Sequence, residues 1–330
     1  MSLDNIPDSS GFRGRKILVT GCAGFLGSWL SEVLVECGSD VVCVDNFATG
    51  HESNISHLKT HSNFEFRRLD IAEKVPDDRF DMIFHFASRA SPDEYQLHPV
   101  ETLVANSIGT HNVLQAARRH DAMVIYASSS EIYGHPDVFP TPESHWGRVN
   151  PVGPRSCYDE GKRFGEAMGM AYVRAYNLDV RIVRIFNTYG PRIRGDGAYA
   201  RALSRFIVQA LKGKPLTIYG DGSQTRSFCY VADTLAGILR VATADAAKGQ
   251  QFNVGNPQEI TILSLANLVG QLVGSHFTIV YSPLPEDDPP RRCPDISKAR
   301  SVLGWEPKVE LKDGLSKTVD WFRRKEEAPV

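Results

Sequence analysis

The sequence predicts an α/β fold in which a Rossmann-like, doubly wound parallel sheet is joined to a smaller C-terminal lobe. Short apolar runs alternate with longer stretches of helical periodicity, which is the pattern of a parallel sheet covered by helices on both faces. A glycine-rich turn separates the first strand from the first helix, and proline and glycine become frequent after Phe186. These three observations give the fold class.

The elements of the larger lobe follow in chain order. Each predicted strand is a short, largely apolar run, as expected for strands buried on both faces of a sheet. The predicted strands are 16–20, 41–44, 64–68, 82–86, 123–127 and 180–185, and the predicted helices are 24–37, 99–119 and 157–176. The change after Phe186 divides the chain into one predicted domain of residues 1–186 with 226–255 and a second of residues 187–225 with 256–330.

Composition limits the kinds of partner that the chain can have. The 330 residues are 42% hydrophobic and 23% charged, with a formal net charge of −2. These values are typical of a globular protein with a large core, and they predict no binding to nucleic acid or to an anionic membrane. No apolar run approaches the roughly 20 residues that span a bilayer. Six scattered cysteines and ten unclustered histidines predict a reduced, cytoplasmic protein without a metal site.

The glycine-rich turn predicts a nucleotide site. Gly21, Gly24 and Gly27 are spaced three residues apart. The first permits a tight turn, the second lets the backbone approach a pyrophosphate, and the third lets the helix pack closely on the sheet. A turn without a ligand is the alternative, but the position between strand and helix favours a dinucleotide site that includes Phe25 and Leu26.

Acidic residues after the next two strands refine the predicted cofactor. Asp45 closes the second strand. A carboxylate there can accept hydrogen bonds from both ribose hydroxyls and would repel a 2′-phosphate, so NAD is favoured over NADP. Asp70, after the third strand, is predicted either to contact the adenine amine or to be a surface carboxylate.

Tyr158 and Lys162 are predicted to work as a pair. Residues four apart lie on one face of a helix, one turn from each other. A lysine ammonium beside a phenol favours the phenolate, which can take a proton from a substrate hydroxyl while a hydride leaves the same carbon. An ordinary helix surface is the alternative, but together with the glycine-rich turn the pair predicts a redox enzyme.

A run of serines is expected directly after the fifth strand. Ser128, Ser129 and Ser130 would then lie at the carboxyl edge of the sheet, where ligands bind in this architecture. A hydroxyl there can hydrogen-bond the same substrate oxygen as Tyr158, whereas a plain serine turn would not. Glu131 either moves a proton at a neighbouring ring carbon or accepts hydrogen bonds from backbone amides, and the sequence leaves both interpretations open.

At these residues the chain resembles the extended short-chain dehydrogenase/reductases, and among them the UDP-glucuronate decarboxylases, or UDP-xylose synthases. The resemblance covers about residues 16–322, and its most specific stretch is SHWGRVNPVGPRSCYDEGKRFGE at 144–166. Further matching motifs are HFAS at 85–88, IFNTYGPR at 185–192, GSQTR at 222–226, DDP at 287–289 and PDI at 294–296. Together these motifs are far more specific than a dinucleotide fingerprint.

The resemblance implies a role for each matching residue. Tyr158 would be the base and a cofactor ligand, and Lys162 its electrostatic partner and a ribose ligand. Ser130 and Glu131 would lie near carbon 5 and the carboxylate of the sugar. Further implied cofactor ligands are Asn46, Ile71, Ala87, Ser88 and Asn106. Further implied substrate ligands are Arg89, Asn187 as an amide, Arg192, Tyr219 as an aromatic beside the base, Arg226 as a cation for phosphate, and Arg292, which is also implied in catalysis at the sugar and its diphosphate.

Three positions depart from the family's usual pattern. Cys22 replaces a glycine of the turn, although the three spaced glycines remain. Ser129 replaces a threonine and keeps the hydroxyl. Arg89 stands where the family usually has proline, and its cation is expected either to help hold a carboxylate or to turn outward.

The resemblance also implies an activity and a partner. The implied reaction is NAD-dependent decarboxylation of UDP-glucuronate to UDP-xylose through a transient 4-keto sugar, with NAD regenerated and the smaller lobe binding the nucleotide sugar. A homodimer would pair the helices at 99–119 and 157–176. The nearest alternative is a UDP-hexuronate 4-epimerase, which often has a small residue at position 131, while a 4,6-dehydratase would carry Asp-Glu at 130–131. A non-catalytic, NAD-sensing interaction protein is the alternative from another class.

Overall fold

Strands and helices alternate along most of the chain. The computed structural model describes residues 9–195, 202–274 and 276–327. The strands are β1 (Lys16–Thr20), β2 (Asp40–Asp45), β3 (Phe64–Arg68), β4 (Met82–His85), β5 (Met123–Ser129), β6 (Val180–Ile185), β7 (Thr188–Tyr189), β8 (Leu216–Tyr219), β9 (Thr225–Ser227), β10 (Cys229–Tyr230), β11 (Gln251–Val254), β12 (Glu259–Thr261), β13 (Ile279–Ser282) and β14 (Arg291–Arg292). The helices are α1 (Phe25–Glu36), α2 (Pro92–Leu97), α3 (Pro99–Val104), α4 (Thr110–His120), α5 (Ser156–Tyr176), α6 (Ala202–Leu211), α7 (Val231–Thr243), α8 (Ile262–Val273), α9 (Ser297–Leu303) and α10 (Leu311–Glu327), and a π-helical segment, Ala105–Gly109, joins α3 to α4.

Seven of the strands form one parallel sheet in the order β11–β6–β5–β4–β1–β2–β3. Every neighbouring pair in this sheet is parallel. The strand order reverses between β1 and β4, which is the point where open α/β sheets bind their ligands. The predicted fold class, a Rossmann-like doubly wound sheet, is confirmed.

Alternating side chains of the central strands separate two buried layers. In β1, Ile17 and Val19 belong to one apolar cluster and Leu18 to the other. The first cluster includes α1 and α7 side chains, and the second includes side chains of α4 and α5. Each fully buried valine or leucine side chain contributes roughly 1.5–3 kcal/mol, so this double layer fixes the carboxyl edge of the sheet on which the site is built.

The predicted element boundaries agree with the structure at most strands. The strands predicted at 16–20, 64–68 and 180–185 have the observed bounds. One prediction is wrong: the fifth strand does not end at residue 127, because Ser128 and Ser129 continue its pairing with β6. The predicted helix 99–119 is present but is interrupted by the π segment, and α2 had no counterpart in the prediction.

The remaining strands form three small sheets, β12–β9–β14, β13–β8 and β10–β7.

The division into two domains stays a proposal. The pairing of β11 with β6 supports placing residues 251–254 in the larger domain, whereas Arg226 pairs with β12 and β14 of the smaller one. Residues 1–8, 196–201, 275 and 328–330 of the predicted domains lie outside the described residues.

Candidate functional site

The glycine-rich turn packs so closely that side chains are excluded from it. Gly21 has a φ of +72°, and a Cβ there would lie 2.6 Å from the backbone nitrogen of Ala87. A Cβ on Gly27 would lie 2.1 Å from the carbonyl oxygen of Gly21. Helix α1 therefore begins directly against the end of β1, with Gly24 as a residue that offers no capping side chain. Its first N–H groups remain suited to an anion such as a dinucleotide pyrophosphate.

Two acidic residues lie beside this turn. The buried Asp45 carboxylate accepts the N–H of Ala23 at 2.9 Å and the N–H of Phe47 at 2.8 Å. Burial raises the pKa of Asp45, and these backbone N–H groups oppose that effect. Asp70 accepts an N–H of the Asn46 amide at 2.8 Å, so the two residues predicted at the adenosine end are connected.

Most of the predicted site residues line one continuous cavity of about 570 Å³. The predicted residues in its wall are Gly21, Gly24, Phe25, Leu26, Gly27, Asp45, Asn46, Asp70, Ile71, Ala87, Ser88, Arg89, Ser129, Ser130, Glu131, Tyr158, Lys162, Asn187 and Arg192. Four predicted residues do not line it: Asn106, Tyr219, Arg226 and Arg292. The cavity thus joins the glycine-rich turn to the tyrosine and lysine, and the individual roles stay predictions.

Tyr158 and Lys162 lie together, as their spacing predicts. The Lys162 Nζ donates a hydrogen bond to the carbonyl oxygen of Ala127 at 2.8 Å and lies 5.7 Å from the centre of the Tyr158 ring. Burial lowers the pKa of Lys162 to about 7. The Tyr95 ring lies parallel to the Tyr158 ring, with centroids 5.1 Å apart. The phenol is therefore held between a buried amine and an aromatic face.

The three serines have different partners. Ser128 donates to Glu166 at 2.5 Å, and Glu166 in turn forms an ion pair with Arg184. Ser129 accepts the N–H of Glu131 at 3.2 Å. All three serines line the cavity, but the Ser128 hydroxyl donates its proton to Glu166, so Ser129 and Ser130 are the hydroxyls more readily available to a ligand.

Among the described residues, arginines and no backbone amides bind the Glu131 carboxylate, so the predicted alternative of backbone amides is wrong. The two carboxylate oxygens of Glu131 form ion pairs with Arg292 and, at 2.6 Å, with Arg155. Burial alone would raise the pKa of Glu131, but the two guanidinium groups overcome it and hold that pKa well below its ordinary value. Glu131 is therefore an ionised, tightly oriented acceptor.

The ion pairs extend from Glu131 to β9 and β14. Asp288 lies 3.6 Å from Arg155 and 2.8 Å from Arg226. We call these five residues, Arg226, Asp288, Arg155, Glu131 and Arg292, the arginine–carboxylate network. It brings together three residues that the sequence predicted separately and places Arg226 and Arg292 behind the cavity wall.

Asn187 and Arg192 follow β6 at the cavity. The Asn187 Nδ2 is buried and has no partner among the described residues, which supports its predicted role as an amide donor to a ligand. The Arg192 guanidinium lies 3.8 Å from the centre of the Trp29 ring and pairs with Glu32. Because both contacts are on α1, Arg192 lies on the side of the glycine-rich turn and not with the other predicted substrate ligands.

Arg89, the departure from the family pattern, lines the cavity and forms an ion pair. Its guanidinium lies 3.2 Å from Glu94 on α2, and Glu94 also binds Arg194 at 2.9 Å. Arg89 therefore does not turn outward. Its cation is already paired, so any contact with a substrate carboxylate would be shared with Glu94.

Asn106 and Tyr219 lie away from the cavity wall. Asn106 is on the π-helical segment, and its side-chain amide donates to the carbonyl oxygen of Thr102 at 3.0 Å. The Tyr219 ring is covered by the guanidinium of Arg205, 4.6 Å from the ring centre. Neither residue lines the cavity, so the roles implied for these two residues stay predictions.

Arg155 and Tyr95 contact the predicted site residues but are not among them. Arg155 lies three residues before Tyr158, on the same helical face by spacing, and this spacing was a signal that could have identified it. Tyr95 lies on α2, whose six residues are too short for a periodic pattern. Its contact with Tyr158 joins residues 63 positions apart, and no local pattern predicts such a contact.

Comparison with known proteins identifies the family. The model of the NAD dependent epimerase/dehydratase family matches residues 17–255. The chain belongs to this family. It is 48% identical to UDP-glucuronic acid decarboxylase 1 of Xenopus tropicalis over 94% of this chain and 72% of that protein. The resemblance to this group of extended short-chain dehydrogenase/reductases is confirmed, and NAD is the cofactor of the family.

Solved structures agree on the fold of this family member. An epimerase from Methanothermobacter thermautotrophicus matches with a TM-score of 0.90 and 29% identity, over 99% of this chain and 98% of that one. UDP-glucuronic acid 4-epimerase from Bacillus cereus, in complex with UDP-glucuronic acid and NAD, matches with a TM-score of 0.85 and 30% identity, over 94% and 99% of the two chains. No helix in the described ranges has both the length and the hydrophobicity to cross a membrane.

Replacing Asp45 with alanine is expected to weaken NAD binding and to reduce the preference for NAD over NADP. The carboxylate lies at the cavity wall, where it can accept ribose hydroxyls and repel a 2′-phosphate. The loss of its two backbone contacts will loosen the turn as well, so both affinities are to be measured by titration with each cofactor. Asp40→Ala, on an exposed residue of the same strand, is the control. An unchanged ratio of the two affinities would contradict the ribose assignment.

Proposed function

We infer that this protein decarboxylates UDP-glucuronate to UDP-xylose through a transient 4-keto sugar, with NAD regenerated in the same cycle. The observation that carries this inference is the 48% identity to a UDP-glucuronic acid decarboxylase across 94% of the chain. The site supports it, because one cavity contains the tyrosine and lysine pair and an ionised Glu131.

The turn from Gly21 to Gly27, the start of α1 and Asp45 would hold NAD. The close packing of the turn and the buried carboxylate at its side fit a dinucleotide. When bound, NAD accepts a hydride from carbon 4 of the sugar and returns it to the same carbon. The residues of the chain supply the binding, the orientation and the proton transfers.

Tyr158 acts as the base at carbon 4 in this proposal. Its hydroxyl oxygen takes the proton of the sugar hydroxyl, and the buried Lys162 favours the phenolate electrostatically when it carries its proton. Ser129, which lines the same cavity, hydrogen-bonds the sugar oxygen. The ring stacking of Tyr95 on Tyr158 holds the phenol in one orientation.

The new ketone makes loss of carbon dioxide possible. It lies β to the carbon-6 carboxylate, so it can accept the electron pair that remains when carbon dioxide departs. Carbon 5 is then protonated by a water that Ser130 or Glu131 orients. Glu131 is suited to orienting the water and not to donating a proton, since Arg292 and Arg155 keep it ionised.

The smaller lobe would hold the nucleotide end of the substrate. Arg226 and Arg292 are proposed as ligands of the diphosphate and sugar, Asn187 as an amide donor, and Tyr219 as the aromatic beside the base. Arg226 is bound to Asp288. The diphosphate would therefore share the Arg226 guanidinium with the Asp288 carboxylate or displace that carboxylate from it. These contacts fix the ring, which converts binding energy into orientation.

Incubation of the purified protein with UDP-glucuronate tests the proposed function. We expect release of carbon dioxide and a product whose mass, by mass spectrometry, is that of UDP-xylose. UDP-glucose, which has no carboxylate, is the control and should release none. A product of unchanged mass but altered configuration would instead identify a 4-epimerase, and the absence of any reaction would favour an NAD-binding interaction protein.

We also propose that the protein forms a homodimer through the helices at 99–119 and 157–176. Large apolar side chains are exposed on this face, including Leu103, Ile108 and Phe164. The double variant Ile108→Asp/Phe164→Asp should therefore be monomeric by light scattering, while Val280→Asp, at an exposed position of β13, should stay dimeric. A monomeric wild-type protein would contradict the proposal. A cytoplasmic location stays a prediction.

A further inference from the structure

Two buried polar atoms next to the site have no partner among the described residues: the Tyr95 Oη and the Asp159 Oδ1. The Tyr95 side chain is 1% exposed and the Asp159 side chain 6%. Buried polar groups that lack protein partners are generally satisfied by ordered water or a ligand. Two such atoms beside a reaction centre therefore indicate a polar site that the mechanism above does not use.

Both residues contact the proposed base or adjoin it in the chain. The Tyr95 ring lies parallel to that of Tyr158, at 5.1 Å and an interplanar angle of 7°. Asp159 directly follows Tyr158 in the first turn of α5. Neither residue lines the cavity, so the pair lies in the layer of side chains directly beneath its wall.

The two side chains share the same electrostatic surroundings. Tyr95 interacts with the charges of Arg155, Glu131 and Asp159. Asp159 itself is faced by Glu131 after β5, by Arg155 and Glu160 at the start of α5, and by Arg292 on β14. This shared set places Tyr95 and Asp159 at one end of the arginine–carboxylate network, beside the residue that we expect nearest to carbon 5.

Decarboxylation requires a proton at this place. When carbon dioxide leaves, an electron pair stays on carbon 5 and the attached carbonyl, and carbon 5 must gain one proton before carbon 4 can be reduced. Glu131 is a poor source, since two arginines hold its pKa well below its ordinary value. Asp159 has the opposite property: burial first, and then the charge of Glu131, raises its pKa to about 7.

We propose that Asp159 and Tyr95 form a proton-holding site that supplies carbon 5 through an ordered water. The water gives its proton to carbon 5, forming the C–H bond, and recovers a proton from the Asp159 carboxyl, while the Tyr95 hydroxyl orients the water. Asp159 is left as a carboxylate and is reprotonated from solvent before the next cycle. One proton is consumed for each carbon dioxide released. This inference rests on the proposed decarboxylase function.

The variants Asp159→Asn and Tyr95→Phe test the proposal, and Asp320→Asn is the control with the same exchange. Asp320 carries an exposed carboxylate on α10 and pairs with Arg323. We expect kcat to fall roughly 100-fold in both test variants, the lower end for a positioned acid, with KM little changed. Oxidation at carbon 4 is not affected, so bound NADH should accumulate during turnover and be visible in the absorbance. The control should behave like the wild type.

The pH profile gives a second readout. A group that must carry its proton loses function as the pH rises through its pKa, so the wild-type rate should decline above about pH 7. Asp159→Asn should make this decline shallower, and the part that remains is the loss of the Lys162 proton, whose pKa burial also lowers to about 7. Tyr95→Phe removes a single oxygen and keeps the stacked ring. It therefore tests the proposed proton-holding site even if Asp159→Asn does not fold.

Two results would overturn the proposal. One is a kcat close to that of the wild type in a folded test variant. The other is a lower kcat without accumulation of NADH, which would indicate that the pair only supports the structure. If the wild-type protein releases no carbon dioxide from UDP-glucuronate, the proposed function itself fails and this inference fails with it. Normal carbon dioxide release together with unaffected variants overturns this inference alone.

Discussion

Replacing Tyr158 with phenylalanine is expected to lower kcat by roughly 100- to 10,000-fold, the contribution of a positioned general acid or base. The substitution removes the hydroxyl that takes the proton at carbon 4. The phenylalanine ring can keep the stacking on Tyr95, which involves only the aromatic faces. NAD affinity should fall much less than kcat, because Gly21, Asp45 and Lys162 are not altered. The measurements are carbon dioxide release at saturating UDP-glucuronate and a cofactor titration.

A second buried tyrosine provides the control. The Tyr126 ring centre lies 5.2 Å from the Lys162 Nζ, close to the 5.7 Å of Tyr158, but Tyr126 is not among the cavity-lining residues. Tyr126→Phe should therefore retain most of the turnover. If Tyr158→Phe also retained it, the proposed base would be excluded, whatever the reaction proves to be.

The sheet could be predicted from sequence because each buried strand is recognisable as a short apolar run. Strands covered on both faces are nearly continuous apolar runs, and β1 and β6 have the bounds that their apolar runs predicted. The end of β5 was missed because Ser128 and Ser129 are polar, yet they continue the ladder with β6. These serines are polar because they line the candidate site, and not because they form a turn. A local sequence pattern does not distinguish polar residues of a site from polar residues of a turn.

Helix α2 and the π-helical segment were beyond prediction for a different reason. The six residues of α2 bury Tyr95 alone, so there is no apolar period to detect. The π segment at Ala105–Gly109 buries Asn106 and Gly109, so no apolar pattern marks it in the sequence. Both features are fixed by tertiary packing, and both place residues that the candidate site uses or adjoins.

Within the site, the residues of contiguous motifs were predicted and the pairings between distant segments were not. The glycine-rich turn and the pair Tyr158 and Lys162 are each defined by a spacing of a few residues. The contacts of Glu131 with Arg155 and Arg292 join positions 24 and 161 residues apart. Only the folded chain brings these charges together, so the sequence could name Glu131 without giving its partners.

The arginine–carboxylate network makes Glu131 important for stability as well as for chemistry. Arg155 and Arg292 are both buried, and a buried cation that loses its partner is strongly unfavourable. Glu131→Ala is therefore expected to lower the free energy of unfolding by roughly 3–5 kcal/mol. Urea denaturation of the wild type and the variant measures the difference. The exposed pair of Glu52 and Lys59 gives the control: Glu52→Ala should leave the free energy of unfolding nearly unchanged, because water and salt screen an exposed ion pair.

The charge of Glu131 predicts how this contribution depends on pH. Because its folded-state pKa lies below its ordinary value, the contribution is fully present above about pH 4.5 and is lost as the pH falls below that. The difference in the free energy of unfolding between the wild type and Glu131→Ala should therefore shrink as the pH falls below that value.

A double variant separates charge imbalance from the loss of packing. Glu131→Ala together with Arg292→Met removes one of the two cations that the alanine leaves unpaired, so part of the stability should return and the two effects should not add. Strict additivity would show that the ion pair contributes no coupling. It would also remove the physical reason for regarding Glu131 as permanently ionised, on which its proposed role of orienting water at carbon 5 depends.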